Sequence, residues 1–241
     1  MIKKWCLAGF GAAVCSLAVA GDPAPAFAVT CAISDAIVNS IQSTLAIVVK
    51  KNNGGLFSPN RMWSAVVDRS GKVCSVISSD PDAWPNSRAI ALAKANTANG
   101  LSNNKLAVST ANWYSAAQPG GSLYGLNNSN PFNPSFLTPP LTPATPDPAL
   151  GQYVGGMITF GGGVALYQGG QVIGGLGVSG DTSCADHVIA YRMRRKAGLG
   201  TIPSGVGFNK TDNIDYLAED EAPNGFKHPH CLSTDIDPNK I

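Results

Sequence analysis

Charge is scarce in this chain. Of 241 residues, 17 are Lys or Arg and 15 are Asp or Glu, 13% in all, about half the ~25% share of an ordinary globular protein. With a formal net charge of only +2, the sequence excludes the clustered basic face that nucleic-acid binding demands, and it is not a charge-extended disordered chain. Histidine occurs three times, at His187, His228 and His230, so imidazole chemistry is confined to those places. After the first thirty residues no apolar run approaches the ~18 residues of a membrane-spanning helix. Also missing are a G-x-S-x-G elbow, H-E-x-x-H, a P-loop and any C-x-x-C. Nothing therefore nominates a nucleophile with its base or a paired-cysteine zinc site.

Apolar residues make up 44% of the chain, enough to bury a sizeable core in one domain or at most two. Met1 to Ala28 reads as a secretory signal: Lys3 and Lys4 form a basic start, Trp5 to Ala20 an apolar stretch, and Ala26-Phe27-Ala28 a small-x-small cleavage site. The expected location is secreted or periplasmic, with no membrane contact after cleavage. Cleavage would leave Cys31, Cys74, Cys184 and Cys231, an even set suited to disulfides in an oxidising compartment. Four cysteines allow three pairings. We expect Cys31 with Cys74 and Cys184 with Cys231, the latter tying down the tail, although spacing does not decide among the three.

Apolar residues at Ala32, Ile33, Ala36, Ile37, Ile41, Leu45 and Val48 or Val49 predict a helix within 31–51, started by Ser34 and Asp35. Met62 to Val67 and Lys72 to Ile77 predict a hairpin about Asp68-Arg69-Ser70-Gly71. Arg88 to Asn99 predicts an alanine-rich helix capped by Asn86 or Ser87, and Ser109 to Ala117 a shorter one. Seven prolines between Pro131 and Pro148 then forbid helix or central strand, leaving a lid or a subunit-contact arm. Runs at 157–160, 164–167 and 171–173, separated by glycines, predict three strands, the last two joined at Gly169-Gly170. A helix follows over 182–196, with Asp181 or Ser183 at its start and Arg192, Arg194, Arg195 and Lys196 at its end. Strands grouped in hairpins imply an antiparallel sheet with helices packed on it, an α+β domain.

Gly175-Leu176-Gly177-Val178-Ser179-Gly180 matches G-x-G-x-x-G, but no second parallel strand with an acidic end follows the helix. The glycines are better read as allowing close helix-to-sheet packing. The run Gly170 to Gly180 with Asp186, together with Ala65 to Gly71, Ala91 to Ala98 and Gln118 to Gly125, resembles the GlcG/HbpS-like haem-binding family. The resemblance covers about residues 32–197. It implies a profilin-like fold with a five-stranded antiparallel sheet flanked by helices, a haem or other small apolar ligand as partner, and assembly into a homo-oligomer. It divides the chain into the signal at 1–28, the family domain at 29–197 with a proline-rich insertion at 128–150, and a C-terminal extension at 198–241.

Haem needs an axial donor and an apolar slot, with cations or amides near its propionates. His187 and Tyr191 are spaced i, i+4 and share a helix face; His187 is either a half-exposed residue beside Asp186 or a ligand. His228 and His230 are either free surface residues or a haem or metal site. Lys94 lies on a solvated face or pairs with a carboxylate, and Thr110 with Gly120 and Gly121 offers a turn whose amides can approach an anion. Met157 and Tyr167 read as core. The leading expectation is an exported haem-binding or tetrapyrrole-binding protein in a non-catalytic binding or sensing role. The alternatives are a periplasmic protein that binds or transforms a small organic metabolite, or a structural oligomer.

Overall fold

The computed structural model of this protein describes residues 30–136 and 143–241. The expected signal sequence, and Pro139 and Pro140 of the insertion, lie outside the described residues. Ser34 starts helix α1 (Asp35–Ser43) by accepting a hydrogen bond from Ile37 N. The single helix expected here is broken at Thr44, whose hydroxyl donates to Ile41 O at 2.7 Å and competes with the helical ladder; α2 (Leu45–Val48) resumes beyond it. Strands β1 (Trp63–Asp68) and β2 (Val73–Ser78) form the expected hairpin. Asp68 shapes the turn, its Oδ1 accepting from Ser70 N, Ser70 Oγ and Lys72 N at 2.9, 2.6 and 3.1 Å. Helix α3 (Ser87–Gly100) follows without a side-chain cap from Asn86, and a 3-10 turn at Ala111–Trp113 leads into the four-residue α4 (Tyr114–Ala117).

Strands β3 (Gly163–Gln168) and β4 (Gln171–Ser179) pair about Gly169-Gly170, and α5 (Ser183–Lys196) closes the family-like part. Thr182, rather than Asp181 or Ser183, caps α5, its Oγ1 accepting from Ala185 N at 3.2 Å. Asp181 is spent elsewhere, on Leu56 N, Phe57 N and Asn60 Nδ2. The sheet has four antiparallel strands in the order β2-β1-β4-β3, not five. The run at 157–160 fails to join it because its polar backbone meets α3 instead of a strand edge. Ile158 N donates to Thr97 Oγ1 at 2.9 Å and Asn96 Nδ2 to Gly156 O at 2.8 Å.

Period-two alternation sends the sheet's two faces to different cores. Val66, Val164, Leu166, Leu176 and Val178 pack with Ile41, Leu45 and Val48 of α1 and α2 and with Ile189 and Met193 of α5. Each such fully buried aliphatic side chain contributes about 1.5–3 kcal/mol. Ala65 and Val67 face the other way, against Ala91, Leu92 and Ala95 of α3. The glycine motif earns its place on that second face: a Cβ at Gly175 or Gly177 would collide with the carbonyl oxygens of Ala95 and Ala91. Those glycines let α3 lie directly on β4, which accounts for the false dinucleotide signature.

Both expected disulfides are present. Cys31–Cys74 fastens the chain ahead of α1 to β2, and Cys184–Cys231 fastens the C-terminal region to the start of α5. Residues from 198 onward carry only short 3-10 turns, yet they are tied to the core. Arg194 of α5 forms a buried two-pronged pair with Asp212, both contacts 2.6 Å, and His228 exchanges backbone hydrogen bonds with Asp215 and Leu217.

Candidate functional site

The predicted site residues fall into a sealed group and an open one. Lys94, expected on a solvated face or against a carboxylate, lies wholly inside, its Nζ 2.6 Å from Asp186 Oδ2 and donating to Val178 O at 3.1 Å, with the Phe160 ring 4.9 Å away. Loss of water pushes the Lys94 ammonium down and raises the Asp186 carboxyl to about 6, each opposed by the charge of the other. The pair joins α3 to the first turn of α5, where Asp186 also accepts from Asp181 N at 3.0 Å.

His187 is fully buried rather than half-exposed. Its Nε2 accepts from Ile214 N at 3.0 Å and lies 3.2 Å from Asn213 Oδ1. Accepting at Nε2 places the ring proton on Nδ1, which has no partner among the described residues. Burial lowers its pKa to about 3, so it stays neutral. Tyr191 does share its helix face, the two rings stacked with centroids 5.9 Å apart, and the Arg194 guanidinium sits 4.8 Å from the Tyr191 ring. His228 is equally sealed: its Nδ1 donates to Pro229 O at 2.7 Å, its Nε2 accepts weakly from Gly161 N at 3.4 Å, and Tyr114 packs 4.8 Å from its ring. Burial brings it down to about 4.

Thr110 is buried at the edge of the sheet, its Oγ1 accepting from Gly163 N at 2.8 Å. Gly120 is exposed, and the Gly121 N–H is used within its own turn by Gln118 O. No hydrogen bond among the described residues links this turn to Lys94 or His187. Tyr167 belongs to the core, its hydroxyl donating to Asn103 O at 2.8 Å and its pKa raised by burial to about 12.

His230 differs in every respect. It is exposed and lines a cavity of about 670 Å³ with Leu217, Pro229, Leu232 and Asp235, a volume in the ordinary range for small-molecule sites. Its ring stacks on Tyr216 with centroids 4.0 Å apart and an interplanar angle of 19°. Its Nδ1 lies 3.3 Å from Asp235 Oδ2, which also accepts from Cys231 N and Leu232 N at 2.6 and 3.2 Å. A carboxylate beside Nδ1, with Nε2 on the far side of the ring, is the arrangement that orients a histidine toward a metal. Asp235 Oδ1 is buried without a partner among the described residues. Glu219, Asp220 and Glu221 bring negative charge to the same cavity, Glu221 held near pKa 2 by Ala218 N, Asn224 and Lys227. The roles of Asp235, Asp186 and Tyr216 were not visible in the sequence: a His and an Asp five residues apart in an irregular segment look like any turn.

Residues 58–194, more than half the chain, match the family model described as "Haem degrading protein HbpS-like". No functionally curated protein matches the sequence. Among solved structures, the chain is similar to the PduOC:Heme complex at 24% identity, covering 71% of this chain and 99% of that one with a TM-score of 0.52. It is similar also to the Klebsiella pneumoniae protein ORFY, at 25% identity over 76% and 98% of the two chains with a TM-score of 0.51. With a four-stranded antiparallel sheet between helices and a family match that runs from just before β1 into α5, this chain belongs to the HbpS-like family.

Proposed function

We propose that this chain is an exported haem-binding protein with a binding or sensing role, His230 supplying the axial nitrogen. The observation that carries the proposal is the contrast among the three imidazoles: His187 and His228 are sealed, while His230 opens on a cavity, oriented by Asp235 and with Nε2 free among the described residues. The donor fits the iron, and the Glu219, Asp220 and Glu221 carboxylates on the same cavity require the propionates to point away from them toward solvent. An imidazole backed by a carboxylate is a good iron ligand, and Leu217, Pro229 and Leu232 provide apolar wall for a porphyrin face. Bound haem would supply iron redox and ligand chemistry; the chain would bind it, orient it and exclude water. The HbpS-like family match and the solution of the similar PduOC as a heme complex support a haem-related role; His230 lies beyond the matched residues 58–194, and its assignment rests on the cavity alone. The two disulfides favour export, with 1–28 removed as a signal. We assign 29–197 as the family domain and 198–241 as an extension that carries the ligand site, in a homo-oligomer.

Titrating the purified chain with haemin should give a saturable Soret shift at one haem per chain. Absence of saturable binding would overturn the proposal.

A further inference from the structure

Beside the sealed imidazole of His228 lies the second disulfide. One ligand atom from each of Cys184, Cys231 and His228 falls within 4.8 Å of the other two. We propose that opening the Cys184–Cys231 disulfide converts these three residues into a binding site for a zinc-class divalent cation. The site uses neither the His230 imidazole nor haem as a ligand.

Three observations carry the inference. The donor set is two thiolates and one imidazole, which suits zinc with a fourth position left for water. Zn–S of about 2.3 Å and Zn–N of about 2.0 Å place tetrahedral ligand atoms roughly 3.5–3.8 Å apart, so the sulfurs, bonded to one another as a disulfide, separate on reduction while the imidazole nitrogen, within 4.8 Å, draws in. Cys231 Sγ already accepts from Cys184 N at 3.2 Å and touches Ser183 Oγ at 3.3 Å. An N–H at the start of the fourteen-residue α5 stabilises the thiolate released there. Besides the sulfur bond, the buried Arg194–Asp212 pair anchors the extension to α5, and backbone hydrogen bonds with Asp215 and Leu217 hold His228 within it.

The chemistry balances with an external dithiol as reductant. Two electrons and two protons pass to the sulfurs, the S–S bond breaks to two thiols, and the dithiol leaves as its own disulfide. The cation then displaces one proton from each thiol. The other sulfur pair is a poorer candidate. Asp68, the third member of the Cys31, Asp68 and Cys74 group, accepts from Ala32, Ser70 and Lys72, whereas ligation by His228 Nε2 displaces the single long bond from Gly161 N at 3.4 Å.

The test is cobalt(II) titration of the full chain carrying Cys6→Ser and Cys15→Ser, before and after reduction with a phosphine, which adds no competing thiol, with far-ultraviolet circular dichroism recorded alongside. The oxidised protein should show no thiolate-to-cobalt charge-transfer band. The reduced protein should bind one cobalt with tetrahedral d–d bands while keeping its fold. Binding should persist in Cys31→Ser/Cys74→Ser and weaken at least tenfold in His228→Ala. Failure of the folded, reduced protein to bind, loss of fold on reduction, or unchanged affinity in His228→Ala would each overturn the proposal.

Discussion

In the HbpS-like part of the chain His187 and the ion pairs of Arg88 and Lys94 are sealed, whereas the C-terminal extension holds a sealed imidazole, His228, and an open one, His230, two residues apart. Inside 58–194, polar side chains are closed on one another. Arg88 pairs with Asp147 and Lys94 with Asp186, and His187 is covered although one of its nitrogens goes unpaired. Within the extension, His230 is left open with its second nitrogen free among the described residues, and the carboxylate behind it keeps one oxygen unpartnered among them. Surroundings, not residue type, decide whether a histidine serves the core or a ligand. On the proposed reading the sealed groups serve as scaffold and the cavity at His230 receives the ligand.

The largest test of this contrast cuts the seam between the two regions. Asp212→Asn would leave the Arg194 guanidinium buried without its counter-charge, a loss of about 3–5 kcal/mol. The melting temperature should fall by about 10 °C or more, read by circular dichroism; a shift under two or three degrees would mean that the seam contributes little.

Next in size is the response of the sealed imidazoles to acid. His187 and His228 have folded values of about 3 and about 4, below the ordinary 6.5, so the unfolded chain takes up protons that the folded one refuses. Their stabilising contribution is complete above pH 6.5 and is lost progressively as the pH falls toward those folded values. Asp186 acts in the opposite sense. Raised from 3.8 to about 6, it makes the folded state hold a proton that the unfolded chain has released, which favours folding as the pH falls through that window. Two histidines outweigh one aspartate. Melting at pH 5 should come about 5 °C or more below that at pH 7, and equal melting temperatures would show that these rings are not sealed.

The smaller effect belongs to the open side. Asp235→Asn removes the carboxylate that orients the His230 ring and should weaken haemin binding by about tenfold, measured by Soret titration. Unchanged affinity would show that the ring needs no orienting partner.

Much of the scaffold was legible in the sequence because it rests on periodicity and turn chemistry. The alternation in β1 and β2, the Asp68 turn and the glycines that admit α3 to β4 are all local signals. The supposed strand at 157–160 misled because a short apolar run looks the same whether it joins a sheet or crosses a helix; the hydrogen bonds to Asn96 and Thr97 that decide it are about sixty residues away in the chain. Lys94 was placed on a helix correctly, but its burial depends on Asp186, 92 residues on. The sequence sets His187 on a helix face as a haem-ligand candidate and leaves His228 and His230 together as surface residues or a haem or metal site; only the folding of the tail over α5 separates His230 from His228, two residues earlier.

The most direct measurement compares haemin affinity in the unmodified chain, in His230→Ala and in His187→Ala, each confirmed as folded. The account predicts that His230→Ala weakens binding at least tenfold while His187→Ala keeps its Soret shift and loses only thermal stability. Undiminished binding in His230→Ala, or its loss in a folded His187→Ala, would contradict the division into a closed scaffold and an open site.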